Sequence, residues 1–366
     1  MTPPDESPFP YHGPLDPDQV SGREDLVGDL EARITSRRVT ALLGPRRFGK
    51  TSVLRKVSAD LAAAGSETVW IDLYELSSIA DLAGAIDQGL AGVQGRIRRA
   101  IDSLAGTFSL QIGFVGIELS KGRNERPDPV LTVRTLLDVL VRTAQKHPLV
   151  VVFDEFSGIA RVRGGAGMLR TQLQHHYRDL GIVFAGSQPS TMQMLFTDRA
   201  QPFFAQADLV EIGPLDIGAV INIVENGFAA TDRSTGGIVN HVVRTAEGHP
   251  QRAMQLADAL WRFTPEGGTA DDTTWVAAIE DVRVTIAGGL ERLYTLLPTG
   301  HQKTLRAVAT NGRVYGRAAE VLDLSPGTAR AAVENLLGDG TLVKRDGRLA
   351  IIDPLYADWI AHRFPL

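Results

Sequence analysis

Eight consecutive residues, Gly44-Pro45-Arg46-Arg47-Phe48-Gly49-Lys50-Thr51, match the spacing G-x-x-x-x-G-K-S/T. They follow a short apolar run and lead, through Ser52, into a helical pattern. Glycines at that spacing let successive backbone N–H groups turn inward around an anion, and the helix that follows adds the positive end of its dipole. The lysine ammonium is then in reach of the outer phosphates of a nucleotide, and the threonine hydroxyl is a hard oxygen ligand for magnesium. A second run, residues 149–155, is apolar until it ends in Asp154 and Glu155. Beside a phosphate loop, Asp154 is placed to hold magnesium through water, and Glu155 to orient and deprotonate a water molecule. A third run, 182–185, ends in Gly186-Ser187-Gln188, where Ser187 or Gln188 is suited to sense a γ-phosphate; a plain turn after a strand accounts for the same residues. The ligands expected are therefore ATP and magnesium, bound by residues 44–52, with Thr51 and Asp154 toward the metal. The reaction expected is ATP hydrolysis, with Glu155, Lys50 and Ser187 as its catalytic residues.

Such residues work only if a scaffold gathers them at one end of a sheet. Five short apolar runs, at 39–43, 68–73, 149–153, 182–185 and 209–212, have the length and branching of buried strands, and amphipathic helical stretches separate most of them. Strands alternating with helices predict a parallel sheet covered on both faces, with ligands at the carboxyl ends of the strands. The first helix is marked by Leu26, Leu30 and Ile34 and closes at Arg37 and Arg38. Between the second and third strands the alternation of FSLQIGFVGIELS predicts a β-hairpin inserted at about 106–126. Residues 1–21 hold six prolines and no apolar periodicity, which predicts an extended arm, free to pack on the body. Residues 22–215 then form the core domain. Helical patterns without strands over 216–297 predict a small lid domain. The last unit, 298–366, combines three helices with two strands around Asp346-Gly347. Its third helix starts at Ser325-Pro326 and closes at Gly338 to Gly340, so the unit reads as a winged helix-turn-helix.

A chain of 366 residues, 43% apolar and 22% charged, has material for two or three packed domains. Its net charge of −5 means that any nucleic-acid contact must come from a local basic patch. Cysteine is absent, which excludes disulfides, thiol nucleophiles and cysteine-based zinc sites. The acidic, proline-rich start differs from a secretory signal, and no apolar stretch reaches the ~18 residues of a membrane span. A cytoplasmic protein without a membrane partner is expected.

The stretches GPRRFGKTS, VVVFDEF and FAGSQ, with VSGRE upstream and EGHPQRAMQL and IIDPLYADW downstream, together resemble the archaeal-type ATPase family within the broad AAA+ and STAND group. The resemblance runs from about Pro8 to the end of the chain. It implies an AAA+-like P-loop NTPase fold in the α/β class: a three-layer αβα core, a helical lid and a C-terminal winged helix. It also implies that Val20, Gly22 and Arg23 lie near the adenine, that Gly248-His249-Pro250 opens a lid helix beside the nucleotide, and that Arg252 is in reach of phosphate. One departure stands out. Where such proteins often carry an arginine aimed at a neighbour's ATP, Pro202-Phe203-Phe204-Ala205-Gln206 has Gln206, with Arg199 close by as a substitute. Slow turnover is the expectation.

Three readings follow. In the first, the nucleotide in a core–lid cleft drives the winged helix toward or away from a partner. In the second, ATP gates DNA contact in a regulator or initiator-like loader, through Arg330, Lys344, Arg345 and Arg348. In the third, the winged helix is a packing module of a protein-interaction switch with slow or no hydrolysis. A second copy of the chain is a further candidate partner. The winged-helix segment is only slightly basic, which weighs against strong autonomous DNA binding.

Overall fold

In the computed structural model of the chain, residues 6–108, 110–113, 128–345 and 347–366 are described. Five strands, β1 (Thr40–Leu43), β2 (Glu67–Asp72), β3 (Leu149–Asp154), β4 (Gly181–Gly186) and β5 (Asp208–Glu211), pair in parallel in the order β2-β3-β4-β1-β5. Every position of β1, β3 and β4 is buried, which a run such as LVVVFD requires and which only a sheet covered on both faces provides. The helices of this part are α1 (Glu24–Thr35), α2 (Lys50–Ala63), α3 (Ile79–Ala91), α4 (Gly95–Thr107), α5 (Pro129–Ala144), α6 (Gly165–Leu173) and α7 (Pro189–Thr197). Local signals set their starts: the Ser78 hydroxyl accepts the N–H of Asp81 ahead of α3, and Asp128 accepts that of Val130 ahead of α5, with Pro129 in the first turn.

The strand order has a consequence for chemistry, because β4 lies between β1 and β3. The residue after β4 is thereby set between the loop that follows β1 and the acids that end β3. A cluster of phenylalanines fixes those ends from behind. Phe153 stacks on Phe184 at 5.3 Å, and Phe156 meets Phe184 at 4.4 Å and Phe203 at 5.2 Å, all with essentially no exposed surface.

The chain divides into two compact units, one of Glu24–Gly44 and Lys50–Ile212, the other of the residues up to Arg23, Pro45–Gly49 and Gly213–Leu366. The second unit carries α8 (Ile217–Ala229), α9 (Val239–Ala246), α10 (Pro250–Phe263) and α11 (Asp272–Thr295), the helical lid. It continues with α12 (Thr299–Asn311), α13 (Arg317–Val321), α14 (Pro326–Gly338), the antiparallel pair β6 (Leu342–Arg345) and β7 (Arg348–Ile351), and α15 (Pro354–Arg363). This is a winged helix with an added last helix. The lid and the winged helix have separate apolar cores, and α11 and α15 contribute to both: Val282 and Leu355 lie in the lid core, Leu290, Tyr356 and Ile360 in the other. Within its described residues, 6–21, the proline-rich arm is anchored on the lid. Phe9 is 1% exposed within the lid core, against Phe228 and Gly227, and the Tyr11 carbonyl accepts a bond from Gln251.

Most of the expected hairpin at 106–126 lies outside the described residues, as does Asp346 of the wing turn. Gly106 and Thr107, which the alternation assigned to the hairpin, instead finish α4. Among the described residues no helix is long and apolar enough to cross a membrane.

Candidate active site

Gly44 directly follows β1, where a Cβ would lie 2.3 Å from Ile212 Cγ2 and 2.8 Å from the Ile212 carbonyl oxygen, so only glycine lets the chain leave the sheet here. Arg47 and Gly49 both take left-handed backbone conformations, φ 67° and 88°, which turns the loop back on itself. Lys50 opens α2 and is 5% exposed, and its Nζ donates to the Gly44 carbonyl at 2.8 Å, drawing the two ends of the loop together. The Thr51 hydroxyl donates to Asp154 Oδ2 at 3.1 Å. Burial pushes the Asp154 carboxyl up from its ordinary range, and the Glu155 charge adds to this, while the Glu155 N–H and the Thr51 hydroxyl oppose it. A cation at this point would favour the charged carboxylate, opposing the effect of burial. Thr51 and Asp154 are hard oxygen donors side by side, and among the described residues no cluster of three or more His, Asp or Glu side chains forms a metal cage. That donor set fits magnesium, which is commonly held by few protein oxygens together with substrate phosphates.

Glu155 is half-buried and left-handed at φ 48°, a conformation that costs a non-glycine residue energy and is retained mostly where a side chain must be aimed. Its Oε2 accepts the Ser187 hydroxyl at 2.6 Å and the Ser187 N–H at 3.3 Å. Gln188 instead accepts a bond from Thr191 in its own helix, so of the two polar residues after β4 it is Ser187 that meets the acid.

The middle of the loop, Pro45–Gly49, belongs with the C-terminal unit. There the Phe48 ring meets the His249 ring edge-on at 4.9 Å. His249 caps α10, its Nδ1 accepting the Arg252 N–H at 3.4 Å, and burial lowers its pKa to about 4. Pro250 takes the first helical position. Gly248, at φ 73°, would place a Cβ 2.5 Å from the Leu215 carbonyl, and Gly22 would place one 2.8 Å from Ala219. The Arg23 guanidinium donates to the carbonyls of Gly213 (2.7 Å) and Pro214 (3.2 Å). Gly22, Arg23 and Gly248 are thus gathered around residues 213–219, where the lid begins.

Arg252, expected in reach of phosphate, is engaged here by other side chains. Its Nε and Nη2 grip both oxygens of Asp353, and its Nη1 donates to Gln255. A guanidinium only 4% exposed needs a counter-ion, and Asp353 supplies it. Sequence reasoning did not single out Asp353 or the helix it starts, although Asp353-Pro354 is a helix-start signal. Of the four cations considered for DNA, Arg345 donates to Glu247 at 2.9 Å and Arg330 to Glu334 at 2.9 Å, while Lys344 and Arg348 are exposed. The Gln206 amide donates to the Phe204 carbonyl, and Arg199 is exposed.

No protein-family model matches the chain, and no curated protein does. Solved structures do. A Walker-type ATPase of Pyrococcus abyssi superposes with TM-score 0.72 at 21% identity, covering 96% of this chain and 99% of that one. The ORC2 protein of Aeropyrum pernix, in ADPNP–ADP complexes, superposes at 0.57 and 12% identity, covering 97% and 98%. The ORC1 protein of Aeropyrum pernix, in complex with DNA, gives 0.53 and 13%, covering 94% and 93%. At these identities the likeness is one of fold: a parallel αβα core followed by a helical lid and a winged helix.

Proposed function

We propose that the chain binds ATP with magnesium and hydrolyses it slowly, using the nucleotide as a switch that governs a partner of the winged helix. The observation that carries this reading is the Thr51–Asp154 contact of 3.1 Å beside a Glu155 held by Ser187, at the strand ends that flank the G-x-x-x-x-G-K-T loop. The names of structures sharing the fold agree with it: one is a Walker-type ATPase and another holds ADPNP and ADP.

In this reading the loop N–H groups and the α2 N-terminus receive the phosphates, and Lys50 exchanges the Gly44 carbonyl for phosphate oxygen. Magnesium, when bound at Thr51 and Asp154, supplies charge neutralisation of the β- and γ-phosphates. Ser187 occupies one oxygen of Glu155, which leaves the other to take a proton from the attacking water as the γ-phosphoryl group passes to it and ADP departs. The same fold in an ORC1 protein solved with DNA favours a second reading, in which ATP gates DNA contact. Two variants test the first reading. Lys50→Ala is expected to lose nucleotide affinity by an order of magnitude or more in calorimetry. Glu155→Gln is expected to bind ATP normally and to turn over ~10²–10⁴-fold more slowly. Wild-type affinity in folded Lys50→Ala would sink the phosphate site, and wild-type turnover in Glu155→Gln would remove Glu155 as the base.

A further inference from the structure

We propose that Asp353, at the start of the last helix, is a positioning residue for nucleotide binding: through Arg252 it fixes the beginning of α10, and with it His249, against Phe48 of the phosphate loop. The proposal rests on the nucleotide reading of that loop and adds a control point at the far end of the chain.

The contacts form an unbroken series. Phe48 touches His249, whose Nδ1 accepts the Arg252 N–H, and the Arg252 side chain holds Asp353 through two nitrogens. A planar guanidinium gripping a carboxylate with two parallel bonds fixes orientation as well as distance, which a lysine cannot do. Asp353 in turn caps α15, accepting the N–H groups of Leu355 (3.1 Å) and Tyr356 (3.3 Å). Burial alone would raise the Asp353 carboxyl, but the Arg252 hydrogen bonds and charge hold it below its ordinary range, which favours the carboxylate that Arg252 grips. A second tie lies on the other side of His249, where Arg345 of the wing donates to Glu247. The six residues Glu247 to Arg252 are therefore held at both ends by the winged-helix segment. Leu355, buried in the lid core, gives α15 an apolar footing there as well. Of these contacts, only the Asp353 cap of α15 lies wholly within the winged-helix segment. Their effect is that a shift of α15 moves His249 at the phosphate loop, and by reciprocity a nucleotide that orders the loop steadies α15.

Three variants separate this role from simple stability. Asp353→Asn keeps the cap, since Asn serves as well as Asp there, and removes the charge. Arg252→Lys keeps the charge and loses the fork. The double variant Arg252→Met/Asp353→Asn removes both charges, so that neither is left buried without a partner and the fold is retained. The measurements are the dissociation constants of ATP and ADP by calorimetry, thermal midpoints without nucleotide, and amide exchange at Leu355 and Tyr356 with and without ADP, with Lys50→Ala as control. Nucleotide affinity is expected to fall about fivefold or more in all three variants. ADP is expected to slow exchange at Leu355 and Tyr356 in the wild type and to leave it unaltered in the double variant. Lower thermal midpoints with wild-type affinity and a wild-type exchange response would reduce the pair to a structural bridge and overturn the proposal, provided Lys50→Ala loses binding. Equal affinity in the wild type and Lys50→Ala would overturn the nucleotide site, and this proposal with it.

Discussion

His249 stays neutral in the folded chain through most of the mildly acidic range, because its ring is 3% exposed and burial disfavours the charged form. An unfolded chain binds a proton there below about 6.5, the folded chain only below about 4. Between those values the unfolded state holds more protons, so stability falls as pH drops, by about 3 kcal/mol across the whole window. The Asp353 carboxyl is held low, so its contribution is lost only at still lower pH. Asp154, pushed up by burial, works in the opposite direction to His249. The comparison that isolates His249 is therefore wild type against His249→Asn, which keeps a cap acceptor for the Arg252 N–H but cannot titrate. Urea midpoints measured from pH 4.5 to 7.5 are expected to fall with acid in the wild type and much less in the variant. Parallel profiles would mean that the ring reaches water more readily than its burial implies.

At the scale of elements, the five strands and the phosphate loop were legible because each is a local pattern: an apolar run, a spacing of glycines, a pair of acids after a strand. The anchor of the arm, the last helix and the partner of Arg252 were not. Six prolines say that residues 1–21 cannot form one continuous α-helix, but nothing local says that Phe9 packs in the lid core beside Phe228, more than two hundred residues away. Asp353-Pro354 announces a helix start, yet only tertiary contact pairs it with an arginine 101 residues earlier. Both Ser187 and Gln188 were open as γ-phosphate sensors in sequence, and only the tertiary structure shows that it is Ser187 that meets Glu155, while Gln188 bonds Thr191. Phe9 also makes the arm testable as an element. Phe9→Ala empties a fully buried ring site in the lid core and should cost about 3–5 kcal/mol, read as a lower urea midpoint. An unchanged midpoint would show that the arm is an appendage whose anchoring adds nothing.

At the scale of the whole molecule, charge decides between a DNA partner and a protein one. The net charge of −5 opposes phosphate at long range, so duplex binding must rest on cations of the winged helix that are available to release counterions. Four were legible in sequence, but Arg345 is engaged with Glu247 and Arg330 with Glu334, so each must give up a carboxylate before it meets phosphate. Lys344 and Arg348, exposed on either side of the wing turn, carry no such cost among the contacts described. For a DNA-binding chain, replacing Lys344 and Arg348 with alanine should make the plot of log affinity against log salt shallower by roughly 2, about 0.9 for each lost phosphate contact. Replacing Arg330 and Arg345 should change it less, because breaking their ion pairs offsets what they gain. The measurement is a mobility-shift titration across salt concentration, with and without ATP. A slope that none of the four replacements alters, or binding too weak to titrate in either nucleotide state, assigns the winged helix to a protein partner. In that case the Arg345–Glu247 contact is best understood as part of the packing that holds the wing to the lid.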